Sequence, residues 1–547
     1  MGSDTSPAVS SRHTFLFPFR WDAEACSLDS LAGEFAKSGS WLCHDMDPGE
    51  QKIFRQEDVC PCGFTDDARK DKFAEYQYFY PAVRQAIFGM SGSVMRSFTY
   101  GHRYDHYAGA TYQIVVPGEK GTQERPEKPE KRYTLPLEAV RLNLYNTGIG
   151  ILYFQCGTPK RGDGQALTLA DIKCVNEYGR RISYATYEPF ALARSIRVQL
   201  PAGKQFFAEF QKPVERGTYV PAVPLGEAKG YVASFLTDIL NTNGKYHFYS
   251  GVRPEKGKSN LVICPALDDR MYVHCLVICQ ELAEKARQIL GREEGGDAQE
   301  KSLYELFYVD KDGGCSCQDD RMRKQELEEV CYRRWLDYGS LYGVTHHSFI
   351  LLMASQDKHT VNAFINIYCQ LSCLCIAQKA SLISLQAQMA AIAEGLESGR
   401  KNVNMRKSAE LAQLQERYVA FSNQLDFYSV TEQYQGVELY NRLRQQLYIP
   451  QARENLITQI ERLYETAAVN RDYAFGKWAL ILAIVSLVAS GAEITLSYDE
   501  LAFTRLGVMH WGWLLAWLTG VSVILGLLIH FYLCRKKKRG KRAPKAK

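Results

Sequence analysis

A single acidic residue, Glu493, interrupts a long apolar segment near the C-terminus and could attract cations. Small and polar residues recur at heptad spacing along this segment, and a helix would place them on one face: Ala479, Ala483, Ser486, Ser490 and Glu493. Repeated around a symmetric oligomer, that face would line a pore, and its carboxylates would form a ring that attracts cations. The alternative is a close helix–helix seam, the usual role of small residues in membranes. A pore requires an oligomer, because one two-helix hairpin cannot enclose it.

Catalytic motifs are absent from the sequence. It contains no P-loop, no G-x-S-x-G elbow and no H-E-x-x-H motif. His346-His347 is interpreted as the end of a strand rather than as a catalytic pair. Cys60-Pro61-Cys62 and Cys315-Ser316-Cys317 lack the second cysteine pair that would complete a zinc site. We therefore expect no catalytic residues, no protein-bound metal and no enzyme activity.

Two apolar segments near the C-terminus predict a transmembrane hairpin. The first covers 478–492 and continues past Glu493 to Leu496, and the second covers 511–534. Each is long enough to cross a hydrocarbon core of about 30 Å as a helix. Tryptophan and tyrosine residues lie at the ends of these segments, as is typical of the membrane interface.

The distribution of charge predicts the orientation of this hairpin. The tail at 535–547 holds nine positive charges and no acidic residue, whereas the loop at 497–510 has two acidic residues and one arginine. The positive-inside rule places the tail, and with it the N-terminal region, in the cytoplasm. Residues 1–20 lack the apolar core of a signal peptide. We expect a multi-pass protein of the inner (cytoplasmic) membrane, in contact with the lipid bilayer and with both termini in the cytoplasm.

The formal net charge of +5 comes from that tail. Without it the charge becomes about −4, so no globally basic surface for nucleic acid is predicted and no direct nucleic-acid binding is expected.

The whole chain predicts an α+β cytoplasmic region with a long-helix stalk and two C-terminal transmembrane helices. We place the domains as follows: an N-terminal mixed α/β domain at 1–225, a second α/β segment at 226–357, a long-helix bundle and stalk at 358–472, the transmembrane hairpin at 473–534 and a basic tail at 535–547.

Local patterns predict the strands of the N-terminal domain. The segment at 13–20 is predicted to be a strand, and Pro18 is expected to end its pairing. An alternating run at 140–145 is joined by a turn at 146–148 to a strand at 149–155, which predicts a β-hairpin.

Caps and periodicity predict the helices. A helix at 169–178 begins after the N-cap Thr168, with Gly179 at the C′ position. Long helices are expected at 361–396 and at 405–448, and a further helix from Gln451 would run into the first membrane span.

From Thr360 onward, over roughly the last 190 residues, this organisation resembles the CorA metal-ion transporter superfamily. The resemblance implies a homopentamer that conducts a divalent cation. It lies in architecture, because the family's Gly-Met-Asn signature is replaced here by Ser497-Tyr498-Asp499-Glu500-Leu501-Ala502. Magnesium selectivity is therefore not implied.

Two stretches are similar to the CorA-like membrane proteins associated with type III CRISPR systems. The first covers 171–181 and ends in Arg180-Arg181, and the second is Leu267-Asp268-Asp269-Arg270-Met271. The resemblance implies an antiviral effector whose cytoplasmic domain binds a small nucleotide messenger and then opens a pore. In this branch the messenger is an adenylated S-adenosylmethionine.

The residues in these stretches suit such a ligand. Arg180 and Arg181 carry guanidinium groups, which bind phosphate in bidentate fashion, and Asp268 or Asp269 could accept a hydrogen bond from an amine or a ribose hydroxyl. The alternative is a structural salt bridge between these arginines and aspartates. For the whole protein, the alternative to a ligand-gated channel is a membrane-anchored binding or signalling protein whose hairpin is only a tether.

Overall fold

The structure is a computed structural model, and it has the mixed α+β architecture that the sequence predicts. It describes residues 9–21, 26–44, 75–89, 94–101, 107–119, 128–183, 193–200, 203–215, 218–221, 232–241, 245–250, 260–290, 297–397, 401–465, 479–484 and 486. The chain divides into two compact units. The first comprises Met1–Glu397 and Ala409–Thr458, and the second comprises Ser398–Ser408 and Gln459–Lys547.

Strands of the first unit form one large sheet in the described part of the chain. Its strands are β1 (Ser10–Arg20), β2 (Trp41–His44), β3 (Met95–Tyr100), β4 (Thr111–Val116), β5 (Lys131–Tyr145), β6 (Ile149–Cys156), β7 (Lys160–Arg161), β8 (Ser195–Gln199), β9 (Gln205–Glu209), β12 (His247–Ser250), β13 (Asn260–Pro265), β14 (Tyr272–Ile278), β15 (Cys331–Tyr332), β16 (Ser340–Val344) and β17 (Ser348–Met353). A separate hairpin is formed by β10 (Gln211–Glu215) and β11 (Thr218–Pro221). The main path of the large sheet runs in the order β15-β16-β17-β14-β1-β6-β5-β4-β8-β9, with β12 and β13, β2 and β3, and β7 attached at its sides. Strands from the predicted segments 1–225 and 226–357 therefore lie in the same sheet.

Strand β1 is the centre of this sheet, and the prediction that it ends at Pro18 is wrong. Along one edge it pairs with β6 from His13 to Arg20. Along its other edge it pairs with β14 as far as Leu16 and with β13 from Phe19. Pro18 lies between these two partners, where the missing N–H breaks no ladder bond, and its carbonyl accepts from the amide of Ala266 at 2.9 Å.

The predicted hairpin is confirmed. Strands β5 and β6 pair antiparallel across the turn at 146–148, in which Gly148 has a positive φ of 80°. All of β6 and the last four residues of β5 are buried, so Asn143 lies in the interior although the alternation along β5 would place it on a polar face.

Helices pack around the sheet. They are α1 (Leu28–Lys37), α2 (Pro81–Phe88), α3 (Leu169–Gly179), α4 (Ser234–Leu240), α5 (Gln280–Leu290), α6 (Asp297–Tyr308), α7 (Asp320–Val330), α8 (Lys358–Ala363), α9 (Cys369–Glu397), α10 (Lys401–Gln424) and α11 (Tyr434–Gln446). A π-helical turn at Phe364–Tyr368 joins α8 to α9, and a 3₁₀ turn covers Leu336–Tyr338. Residues 449–465 are also helical, so Pro450 lies at the start of a helix.

The single helix predicted at 405–448 is wrong, because the chain leaves the helix after Gln424. The carbonyl of Leu425 accepts from Gln378 Nε2 at 2.7 Å, and the carbonyl of Val430 accepts from the amide of Tyr80 at 3.0 Å. Asp426 is buried against Arg444, at 2.8 Å. These contacts replace the helical hydrogen bonds of this segment.

One described helix, Lys358–Glu394, is long and apolar enough to cross a membrane, and 61% of its most apolar window is buried inside the fold. A core helix of a soluble unit passes the same test. In the second unit, residues 401–408, 459–465 and 479–484 are helical. The predicted span at 511–534, the basic tail and most of the first span lie outside the described residues.

Candidate functional site

Helix α3 carries the first stretch that the sequence singled out, and its polar side chains are buried. The helix begins with a reciprocal capping box between Thr168 and Asp171. Lys173, with 1% of its side chain exposed, donates to Glu305 Oε2 at 2.7 Å, to Ser302 Oγ at 2.9 Å and to Asp312 Oδ1 at 3.1 Å. Buried ionic contacts of this kind hold the helix in one position against its neighbours.

The end of α3 meets the second stretch directly. The carbonyl of Arg180 accepts from the amide of Met271 at 2.7 Å, and Arg181 and Arg270 form an antiparallel bridge. The structure therefore brings together two segments that lie about ninety residues apart in the chain.

The expectation that Gly179 occupies a left-handed C′ position is wrong. Gly179 is the last residue of α3 and is not among the described glycines with positive φ. A Cβ at this position would lie 2.6 Å from Phe15 Cζ and 2.8 Å from Ile114 Cδ1. Glycine is required here for close packing of the helix end on the sheet, and this packing places Arg180 and Arg181 next to the loop before β14.

The side chains of the two arginines converge on one carboxylate. Arg180 donates to Glu177 Oε2 from Nη2 at 2.7 Å, and Arg181 donates to Glu177 Oε1. Arg180 Nη2 also lies 3.4 Å from the carbonyl of Val309. The ion pairs of both arginines thus run to Glu177, whereas the structural alternative raised by the sequence joined them to Asp268 or Asp269.

Two guanidinium nitrogens in this group have no hydrogen-bond partner among the described residues. They are Arg180 Nη1 and Arg181 Nε, and both atoms are buried. The exposed fraction is 3% for Arg180 and 8% for Arg181. A buried donor without an acceptor is costly, so these atoms favour an additional anionic or carbonyl group at this position.

The second stretch forms the accessible rim of the site. Arg270 Nε donates to Asp268 Oδ2 at 2.9 Å and lies 3.3 Å from Asp269 Oδ1. His347, in the turn before β17, places Nδ1 3.8 Å from Asp268 Oδ2. The side chain of Asp269 is 57% exposed, and those of Asp268 and Arg270 are about one-third exposed. We call Glu177, Arg180, Arg181, Asp268, Asp269 and Arg270 the arginine–aspartate cluster.

Burial and charge shift the pKa values at this rim. Burial, followed by the neighbouring Asp268, raises the pKa of Asp269. Burial opposes the shift of Asp268, but hydrogen bonds from Asp269 and the charge of Arg270 hold its pKa below the usual value. Burial, with the nearby His346 and the arginines, lowers the pKa of His347 to about 3. At neutral pH the histidine is therefore uncharged and can donate or accept a hydrogen bond.

Sequence reasoning missed three contributors to this site. Glu177 lies three and four residues before the arginines, a helical spacing that could have indicated its pairing with them. Val309 has a φ of 60°, which is strained for a β-branched residue, and it presents its carbonyl to Arg180. The sequence around Val309 and His347 does not indicate that they belong to this site, because only the folding of distant segments brings them to it.

The residues proposed to line a pore are described only in part. Ala479, Ala483 and Ser486 are exposed and helical. Ser490 and Glu493 lie outside the described residues.

No group of three or more potential metal ligands occurs among the residues that the structure describes. Cys315 and Cys317 are buried, and each thiol donates to a backbone carbonyl. Cys60-Pro61-Cys62 lies outside the described residues.

Comparisons of the chain with known protein families, with curated proteins and with solved structures find no match.

Proposed function

We propose that this protein is a homo-oligomeric, CorA-like cation channel of the cytoplasmic membrane, opened by a nucleotide-type ligand bound at the arginine–aspartate cluster. The oligomer is a pentamer and the permeant ion is a divalent cation, as the resemblance to the CorA superfamily implies. The ligand is an adenylated S-adenosylmethionine, acting as the messenger of a type III CRISPR antiviral response.

The main support for a ligand site is the direct contact between Arg180-Arg181 and the 268–270 loop. Two buried guanidinium nitrogens without partners lie behind a partly exposed rim of Asp268, Asp269 and Arg270. A phosphate that entered at the rim would be bound by Arg270 and approached by Arg181. The aspartates would accept from ribose hydroxyls or from amines. Arg180, at 3% exposure, holds Glu177 through Nη2, and its unpartnered Nη1 would be reached by the innermost polar group of the ligand.

Support for the membrane hairpin comes from the two apolar segments and the basic tail. In the described start of the first segment, Leu480, Ile481 and Leu482 are 37%, 45% and 63% exposed. Consecutive exposed aliphatic side chains suit contact with lipid.

A path from the ligand site to the long helices runs along β14. This strand begins directly after the 268–270 loop and pairs parallel with β17, which follows His347. His274 on β14 lies 3.0 Å from the carbonyl of Phe364 through Nε2 and 3.2 Å from Ser372 Oγ through Nδ1. Phe364 opens the π-helical turn, an irregularity that often marks functional positions in helices. Movement of the loop would thus reach the start of α9 through one strand.

Calorimetry on the full-length protein in detergent tests the ligand site with adenylated S-adenosylmethionine. Asp269→Asn and Arg270→Gln should each weaken binding by about tenfold or more, since each removes a charge-assisted hydrogen bond. Arg287→Gln is the matched control, because Arg287 forms an exposed ion pair with Asp337 at 3.2 Å, away from the cluster. Unchanged affinity in both rim variants, or absence of binding by the unmodified protein, would remove this site.

The mass of the detergent-solubilised particle tests the channel. A pentamer supports it, whereas a monomer or dimer would make the hairpin a tether. In liposomes, Glu493→Gln should reduce ligand-dependent cation flux without changing the particle mass. His274→Phe should keep ligand binding but reduce the ligand-dependent part of the flux. Full flux in Glu493→Gln would place this carboxylate outside the pore.

A further inference from the structure

A second cleft lies in the first unit, between the sheet and the helices α9 and α10. Its volume is about 470 Å³, which is within the range of small-molecule sites. The sheet contributes Arg20 and Trp21 at the end of β1, the turn residue Thr147, and Cys264 on β13. We call this the sheet–helix cleft.

The helices supply the opposite wall of the sheet–helix cleft. The lining residues on this side include Gln388 on α9, Arg417 on α10, Ser384 and Leu385. Arg417 Nη1 donates to Gln388 Oε1 at 2.8 Å, and Gln388 Nε2 lies 3.4 Å from Ser384 Oγ. This chain of hydrogen bonds orients the Arg417 guanidinium across the wall.

The charge of the cleft is positive. Arg20 and Arg417 line it from opposite walls, and no carboxylate is among the described residues that line it. The guanidinium of Arg20 makes neither a hydrogen bond nor an ion pair with any residue that the structure describes. Two cations on opposite walls of a cleft attract an anion, and guanidinium groups match the oxygens of phosphates and carboxylates.

A buried polar atom adjoins this group. Trp21 is 3% exposed, and its Nε1 has no hydrogen-bond partner within the described part of the chain. The aromatic ring and Leu385 give the cleft apolar surface beside its polar groups. This combination suits a small organic anion with a compact body.

We propose that the sheet–helix cleft binds a small molecule carrying a phosphate or carboxylate group, held between Arg20 on the sheet and Arg417 on α10. This site is separate from the arginine–aspartate cluster, and none of its residues belongs to that cluster. A ligand here would link the sheet to the α9–α10 helices and stabilise their arrangement, because it binds groups on both walls.

Alkylation of Cys264 provides a reporter within the cleft. This thiol is partly exposed, and Cys43 on β2 is a second partly exposed thiol that does not line the cleft. The full-length protein in detergent is treated with N-ethylmaleimide, and the labelling rate of each cysteine is measured by peptide mass spectrometry. Pyrophosphate and citrate are compared with sodium chloride at equal ionic strength.

Pyrophosphate, citrate or both should slow the labelling of Cys264 and leave that of Cys43 unchanged. Protection by one anion alone identifies the ligand as a phosphate or as a carboxylate. Arg20→Gln should raise the anion concentration needed for protection by about tenfold or more, and Arg12→Gln, an exposed arginine on the same strand, should not. Arg417→Gln should act like Arg20→Gln.

Absence of protection by either anion overturns the proposal, and so does protection that survives Arg20→Gln. Because Arg20 has no side-chain bond to the described residues, its substitution should leave the melting temperature unchanged and keep the test decisive even if Arg417→Gln unfolds. The measurement uses neither the nucleotide ligand nor cation flux. Its failure is therefore distinguishable from failure of the proposed channel function.

Discussion

Replacing Lys173 by methionine should destabilise helix α3 more than any exposed substitution on this face of the protein. The Lys173 ammonium group is 1% exposed and lies 2.7 Å from Glu305, whose side chain is 6% exposed. Its second carboxylate partner, Asp312, is 55% exposed and can be hydrated when the lysine is removed. The main cost is therefore one buried carboxylate, Glu305, left without its cation. Breaking a buried ion pair from one side costs about 3–5 kcal/mol.

Native-state hydrogen exchange on the amides of α3 measures this cost locally, as the free energy of opening the helix. Lys131→Met is the matched control, since Lys131 is 42% exposed and lies 3.6 Å from Asp171. The Asp171 carboxylate is buried, but it keeps Arg161, Tyr133 and Thr168 as partners when this solvent-exposed lysine is replaced. The expected cost of the control is therefore about 0–1 kcal/mol.

A double substitution distinguishes the ion pair from the packing of the lysine stem. Lys173→Met combined with Glu305→Leu removes both charges and should recover most of the lost opening free energy, because apolar groups can replace a buried pair. A Lys173→Met cost no larger than that of Lys131→Met would refute the reasoning, and so would a double variant as unstable as the single one.

Two further predictions follow from packing and from buried histidine. Gly179→Ala should lower the free energy of unfolding by about 1–3 kcal/mol, because its Cβ would clash with Phe15. Gly33→Ala in α1, where a Cβ meets nothing within 4 Å, should raise the free energy of unfolding by about 0.5–1 kcal/mol. Thermal melting of both variants checks this contrast. Burial lowers the pKa of His274 to about 3, so the unfolded chain binds a proton at this residue before the folded protein does. The stabilising contribution of His274 is therefore complete above pH 6.5, and below pH 6.5 it falls by up to about 1.4 kcal/mol per pH unit. Urea unfolding at several pH values between 6.5 and 5 gives the change of the unfolding free energy with pH, which measures the protons taken up on unfolding. His274→Phe should take up about one proton fewer than the unmodified protein, and equal proton uptake would contradict the prediction.

The sequence anticipated those parts of the fold that depend on a few neighbouring residues. The hairpin of β5 and β6 follows from alternation and a turn that needs Gly148 at positive φ. The start of α3 follows from the Thr168 cap. The stretches at Arg180-Arg181 and 268–270, which were joined by a family resemblance rather than by local pattern, are in contact in the structure, and ligand binding there stays a prediction.

The predictions of one helix at 405–448 and of a C′ position for Gly179 were wrong because distant contacts outweigh the local preference of these residues. Helical periodicity continues past Gln424, but Gln378, Arg444 and Tyr80 bind the backbone or side chains of the next residues in a non-helical form. The role of Gly179 is likewise set by Phe15, on a strand far away in the chain.

The sequence by itself determined the apolar segments near the C-terminus, the position of Glu493 within the first of them and the basic tail, since composition and charge are evident without any tertiary contact. Only the tertiary structure decided that Arg180 is buried behind Glu177 while Asp269 and Arg270 form the accessible rim. The reason is physical: burial and ion pairing depend on which strands and helices meet, and that is fixed by long-range packing of the sheet rather than by the spacing of charges along the chain.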